Sequence, residues 1–316
     1  MTQDQLQEEI RQSQESVLKP TDYSETAYVE MKEFRARQLE LLKDFLLTKK
    51  IEGCKNSTLR DYHDKVMKLI EWTKKDLIDL TTKDIKQYLM EYQEKRSIQE
   101  SSLDQIRIVL CTFFRFLEDE ELIVRNPVRT IRKIKADEKI RLPFTDEELV
   151  MIRDATKTPR DLAIVDLLYS SGIRIGELVS LNIKDMDFGQ REFVVYGKGG
   201  TERICYFNAK TKVEILRYLG TRDDKEEALF VTLREPHRRL KKNGIRHMLD
   251  DIELRTGVSN IHPHRFRRTL ATNLLEKGMS LEQVQCILGH KRLETTLVYA
   301  KISNAAVKLN HQRFTT

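Results

Sequence analysis

Apolar residues recur at helical spacing through most of this chain. Phe34, Leu41, Leu42 and Phe45 make one stripe. Leu59, Tyr62, Val66, Leu69 and Ile70 make a second, with Asn56 or Ser57 placed to cap it. Thr81 with Asp84 opens a third helix carrying Ile85, Tyr88 and Leu89. Ser101 with Asp104 opens a fourth, carrying Leu103, Ile106, Leu110, Phe113 and Leu117. Phe113 and Trp72 fall on these apolar faces, so they read as core rather than as platforms for stacked bases. Four amphipathic helices with short connections predict a small bundle over residues 29–130. Residues 1–28, rich in Gln, Glu and Ser and poor in apolar positions, read as a loose or transiently helical arm.

Periodicity fades after Asn126-Pro127. Residues 131–142 carry Arg132, Lys133 and Lys135 against Asp137 and Glu138, and read as an interdomain linker. Two readings stay open for it, a solvated connector or a strap along phosphates. A second domain, residues 143–316, opens with the capping box Thr145 and Glu148 and a helix to about Ala155. Another helix runs from Arg160 to Ser171 and stops at Gly172. The segment F-V-V-Y-G-K-G-G-T-E-R-I-C-Y-F has β-rich flanks around a glycine turn, which predicts a hairpin with Lys198 at its tip. Helices resume from Thr211. A basic run over residues 234–247 includes Arg238, Arg239, Lys241 and Lys242. It is either a solvated helix face or, the reading favoured here, a surface for phosphates. Leu270, Leu274 and Leu275 give the next helix an apolar face that ends at Gly278; Ser280 and Gln283 then open a helix closed by Gly289. The fold class expected is mostly α, with a small antiparallel sheet.

Composition narrows the class. Of 316 residues 34% are charged, and no apolar run is long enough to span a bilayer. The N-terminus shows no basic-then-apolar order of a secretion signal. The formal net charge of +6 permits a polyanionic partner without requiring one. Cys54, Cys111, Cys205 and Cys286 are too dispersed for a zinc site or a disulfide framework, so no metal and a reducing, cytoplasmic setting are expected. Cys111 and Cys286, in apolar helical patterns, are expected to be buried.

The candidate chemistry is a set of separated polar residues. G-K-G-G suggests a phosphate loop, but Walker A requires G-x-x-x-x-G-K-[ST] between a strand and a helix, and here the turn joins two strands. Nucleotide binding is rejected. Taken in order, S-G-I-R-I-G-E-L, a hairpin lysine, H-R-F-R, L-G-H and then a tyrosine after T-T-L-V form a far more specific set. With these five elements the sequence resembles the tyrosine recombinase, or phage integrase, family, and in length its simple two-domain, Xer-like members. The match covers the chain from about Phe144 onward, and more loosely the helices before it. The resemblance implies a SAM-like core-binding bundle followed by a catalytic domain. It implies Arg174 and Arg267 as the two family arginines, Lys198 as the hairpin lysine, and His264 as the start of the His-x-x-Arg box. His290 is then the histidine of L-G-H and Tyr299 the nucleophile. Glu177 resembles the family acid that orients the site, with a surface role equally open. Arg268 stands where many relatives have His or Lys, and either a contact supporting the site residues or a phosphate contact is expected of it. His262 lies two residues before His264, but the H-x-x-R register selects His264.

Physical chemistry supports these roles. Guanidiniums stay charged at any working pH and match the non-bridging oxygens of a phosphodiester. A phenol, with a pKa of about 10, needs a proton acceptor to attack at neutral pH. His264 can accept or share that proton, His290 can donate to a phosphate oxygen, and Lys198 can protonate the departing 5′-oxygen. The resemblance further implies site-specific strand exchange on double-stranded DNA through a 3′-phosphotyrosine, with no cofactor, ATP or metal. A homotetramer on two paired sites, with accessory DNA-bending proteins as candidate partners and no membrane, follows from the same source. Ile302, Ala306 and Leu309 form a short C-terminal stripe, which the resemblance favours docking on a neighbouring protomer. The rivals are a type IB topoisomerase-like relaxing enzyme and a catalytically silent DNA-binding protein.

Overall fold

The structure is a computed structural model, and it describes residues 25–135, 142–196, 202–289 and 297. The chain divides into two compact units, Met1–Glu138 and Lys139–Thr316.

The first unit is helical. Helix α1 (Glu25–Ile51) packs on α2 (Asn56–Trp72), and α2 and α3 (Thr82–Arg96) both pack on α4 (Glu100–Asp119). The stripes read from the sequence face inward: Leu42, Phe45, Leu69, Ile85, Leu110 and Phe113 are buried. Phe113 meets Phe45 edge to face at 5.3 Å, while Trp72 is half-buried and donates to Glu91. Buried Gln38 accepts from the Leu77 N–H at 2.9 Å and donates to Asp76, which fixes a 3₁₀ turn, Leu77–Asp79, against α1. Thr81 and Asp84 form the predicted capping box. Two other expected caps do not form. Helix α2 starts behind Lys55, with no side-chain cap from Asn56 or Ser57. Helix α4 starts behind Gln99, and Asp104 is drawn away from Ser101 by stronger partners. It accepts from Arg107 Nε at 2.7 Å and from the Ile134 N–H at 2.9 Å. Those bonds tie residues 131–135, expected as linker, to this unit, with Ile131 and Ile134 packed on its core.

The second unit is built around α6 (Pro159–Ser171), which is buried on most of its circumference. It packs against α5 (Asp146–Asp154), α8 (Ala209–Leu219), α10 (Pro263–Glu276) and one strand of the sheet. The sheet has order β1 (Met186–Asp187), β2 (Glu192–Tyr196), β3 (Glu202–Tyr206), all antiparallel, with Val194 opposite Ile204. Phe193, Val195 and Cys205 point to the core and Val194, Ile204 and Tyr206 outward, the alternation a one-sided sheet requires. Between α6 and β1 lie a single turn, α7 (Ile175–Leu178), and a 3₁₀ turn, Ile183–Asp185; α9 (Lys242–Thr256) and α11 (Leu281–Leu288) also belong to the unit. Thr145 with Glu148 and Ser280 with Gln283 cap α5 and α11 as expected. The basic run 234–247 is helical only from Lys242. Cys286 is exposed, contrary to expectation, because α11 is short and buries only the side holding Val284 and Leu288.

Asn126 closes the helical unit by a specific bond. Its buried Oδ1 accepts from the buried Val128 N–H at 2.8 Å, and its Nδ2 donates to Cys111 O at 3.0 Å. Asn126→Ala orphans that N–H and should lower stability by about 1–3 kcal/mol. Urea unfolding should show this as a fall in midpoint without a change in slope.

Candidate active site

Helix α10 carries two of the predicted residues. Pro263 suits its first turn because that turn has no use for the missing N–H. His262 caps the helix: its Nδ1 accepts from the Arg265 N–H at 3.1 Å. That bond assigns the first of the two neighbouring histidines to folding. His264 is exposed, one turn ahead of Arg267. Arg267 is 2% exposed and turned into the protein. Its Nη1 donates to Gly172 O at 2.6 Å and its Nη2 donates to Leu288 O. Both carbonyls lie at helix C-terminal ends, those of α6 and α11, where carbonyls lack helical partners and carry partial negative charge.

Arg174 comes from the loop that follows Gly172, at the start of α7. Its Nη2 donates to Gly289 O at 3.0 Å and its Nη1 to Glu177 Oε1 at 2.9 Å. The two guanidiniums therefore end on consecutive carbonyls, Leu288 for Arg267 and Gly289 for Arg174. Glu177 is buried rather than on the surface. Besides Arg174 it meets Arg203, whose Nη1 and Nη2 reach Oε1 and Oε2 at 2.7 Å each. Burial alone would push the Glu177 carboxyl up. The bonds and charge of Arg203, with those from Arg174, outweigh it and hold the carboxyl at about 2. Glu177 is thus an anion at any working pH. Nearby Cys205 is pushed up to about 11 by burial, so its thiol stays neutral.

Arg174, Glu177 and Arg267 are brought together with the Leu288-Gly289 turn, while Arg268 is half-buried on α10. Lys198, His290 and Tyr299 lie outside the described residues, as does the C-terminal stripe. Of the residues expected on DNA, Arg132, Lys133, Lys135, Arg238, Lys241 and Lys242 are exposed. Lys242 reaches over Gly176, its Nζ 3.4 Å from where a Cβ would stand, which puts a cation beside the Arg174 segment. Arg239 departs from expectation. Its guanidinium turns inward to Val179 O at 3.1 Å, Leu181 O at 3.0 Å and Asn182 Oδ1, so it braces the loop after α7. Arg203 was not anticipated. The signal was present, because Arg203 shares the inward register of buried Cys205 and Phe207, and a cation in that register requires an anionic partner.

The comparisons with known proteins fit this geometry. Residues 143–305 match the model of the phage integrase family, and residues 41–123 that of the phage integrase N-terminal SAM-like domain. The chain belongs to the phage integrase family and is a tyrosine-type site-specific DNA recombinase. It is 32% identical over 264 residues to the tyrosine recombinase XerC of Staphylococcus haemolyticus, covering 79% of this chain and 88% of that one. In fold it is similar to the XerH site-specific recombinase bound to a palindromic difH substrate. The TM-score is 0.69 at 17% identity, over 98% of this chain and 95% of that one. A lambda integrase dimer bound to a core site is similar with TM-score 0.69 at 23% identity, over 84% and 95% of the two chains.

The Glu177 carboxylate ties stability to pH. Its pKa is lowered from 4.5 to about 2, so its contribution is complete above the higher value and fades as pH falls toward the lower. Glu177→Gln leaves Arg203 facing an uncharged amide and should cost about 3 kcal/mol or more near neutral pH. Thermal melts of both proteins across the acid range should show that gap narrowing as the pH drops.

Proposed function

We propose that this protein, in the cytoplasm, exchanges strands between two double-stranded DNA sites through a covalent link to Tyr299. The observation that carries this reading is the convergence of Arg174 and Arg267 on the consecutive carbonyls of Leu288 and Gly289. Two permanently charged, donor-rich groups set side by side suit the two non-bridging oxygens of one phosphodiester. In the reaction the Tyr299 oxygen bonds to phosphorus and the bond to the 5′-oxygen breaks. His264 takes the phenolic proton, Lys198 gives a proton to the 5′-oxygen, and His290 donates to a phosphate oxygen. The phosphotyrosine conserves the ester for rejoining, so attack by a 5′-hydroxyl of a second site completes exchange without ATP or metal. All four cysteines are free, which suits a reducing compartment.

DNA would be held largely through phosphates. Arg132, Lys133 and Lys135 are exposed on the first unit. On the second, Lys241 and Lys242 stand at the N-terminus of α9, where the helix dipole disfavours cations unless an anion is near. Four protomers on two paired sites, with tails exchanged between neighbours, would bring the partner strands together, and accessory DNA-bending proteins would favour such pairing.

Two experiments test this. Tyr299→Phe should bind its DNA as wild type does and form no covalent complex on a nicked suicide substrate, while EDTA leaves wild-type cleavage unchanged. A 5′-linked adduct or a metal-dependent cut overturns the mechanism, and relaxation of supercoils without new joints would make the protein a topoisomerase. Log affinity should fall with log salt at a slope of about −0.9 per neutralised phosphate. Removing Arg132, Lys133 and Lys135 together should flatten that slope, and an unchanged slope returns residues 131–135 to a plain connector.

A further inference from the structure

Arg174 is aimed by two acceptors, Glu177 Oε1 and Gly289 O. One buried side chain touches both. Arg203 pairs in bidentate fashion with Glu177, and its stem lies directly against Gly289. A Cβ at position 289 would stand 2.5 Å from Arg203 Cδ and 3.0 Å from its Nε, so the chain passes over Arg203 as closely as glycine allows. Gly289 also sits at φ +63°, the left-handed region that glycine favours. The Glu177 carboxylate accepts four bonds, two on each oxygen: from Arg203 Nη1 and Arg174 Nη1 on Oε1, and from Arg203 Nη2 and the Arg174 N–H on Oε2. That fills a carboxylate. The Arg203 side chain is only 12% exposed, whereas Arg174 is 36% exposed, so Arg174 alone of this pair offers an edge to a ligand.

We propose that Arg203 is a positioning residue for DNA cleavage: through Glu177 and Gly289 it sets the direction of the Arg174 guanidinium and keeps its charge available to the scissile phosphate. One carboxylate shared between two guanidiniums leaves a net positive charge. Without Arg203, Glu177 would pair with Arg174 alone, draw its guanidinium inward and cancel its charge, while the Gly289 turn would lose the side chain beneath it. This inference rests on the assignment of Arg174 to the phosphate.

The test compares single-turnover cleavage of two suicide substrates. One has an ordinary scissile phosphate. The other has a methylphosphonate there, which removes the negative charge that an arginine would stabilise. Melting temperature and DNA affinity are measured alongside. Arg203→Ala should leave DNA affinity near wild type and slow cleavage of ordinary DNA by about 100-fold, the scale of a misplaced catalytic group. On methylphosphonate DNA its defect should shrink in parallel with that of Arg174→Ala. The double variant should be no slower than Arg174→Ala alone. If Arg203→Ala does not fold, Arg203→Lys carries the test: it keeps the charge but cannot pair in bidentate fashion, and should show the same substrate dependence with a smaller loss. Equal losses on both substrates, or additivity with Arg174→Ala, would overturn the proposal and leave Arg203 a fold-stabilising residue. Failure of the underlying assignment looks different. There wild type would form no Tyr299 adduct on either DNA, or Arg174→Ala would cleave normally, and the role of Arg203 would fall with it.

Discussion

Guanidinium groups repel one another, yet Arg174, Arg203 and Arg267 are gathered around a single turn at the end of α11. Two kinds of acceptor hold them there. Arg203 and part of Arg174 are held by the full negative charge of Glu177, while Arg267 and the rest of Arg174 are held by backbone carbonyls. The difference matters for chemistry. A carboxylate cancels the charge it binds, whereas a carbonyl fixes a guanidinium and leaves its formal charge intact. The cluster keeps a surplus of positive charge in a partly dry setting, where an incoming anion gains most from it. Such a cluster is costly to bury, and the ionised, buried Glu177 is what makes it tolerable.

The cluster also explains why distant segments must fold together. Arg174 follows α6, Arg203 lies on β3, Arg267 lies on α10, and the carbonyls stand at the ends of α6 and α11. Each segment is modest alone: α7 is one turn, and α11 has eight residues. Short helices of that kind are not stable in isolation. Helix α11 is held by packing of Val284 and Leu288 on Ala271 and Leu275, and both helices by the polar bonds of the arginines. The polar bonds of the arginines and the closure of the fold therefore share the same atoms.

Much of the architecture could be read from the sequence. Apolar stripes and capping pairs located most helices, because those signals act within a few residues: Thr81 with Asp84, Thr145 with Glu148, and Ser280 with Gln283 all cap as their spacing implies. Local signals failed where a distant partner bound more strongly. Asp104 was lost to Arg107 and the Ile134 N–H, and Arg239 was lost from the surface to the carbonyls of Val179 and Leu181. In the site, the motifs named Arg174, Glu177 and Arg267, but not what Glu177 faces. Arg203 is 26 residues from Glu177, and only folding of the hairpin against α7 reveals the pair. Its inward register in β3 was the one trace left in the sequence.

The ends of helices give the site its geometry. Helices α6 and α11 each stop at a glycine in the left-handed region, Gly172 at φ +59° and Gly289 at φ +63°. Such a stop turns the chain sharply and leaves the final carbonyls pointing away from the axis. Here those carbonyls meet Arg267 and Arg174 instead of water. Both glycines are also crowded: a Cβ at 172 would stand 3.0 Å from Leu270 and 3.1 Å from Leu288, and one at 289 would strike Arg203. Conformation favours glycine at both positions, and at 289 the close approach of Arg203 adds to it. In the motif S-G-I-R the glycine releases the chain from α6 just before Arg174. In L-G-H it ends α11 where both arginines arrive. The two motifs are, physically, two helix stops whose terminal carbonyls hold the guanidiniums.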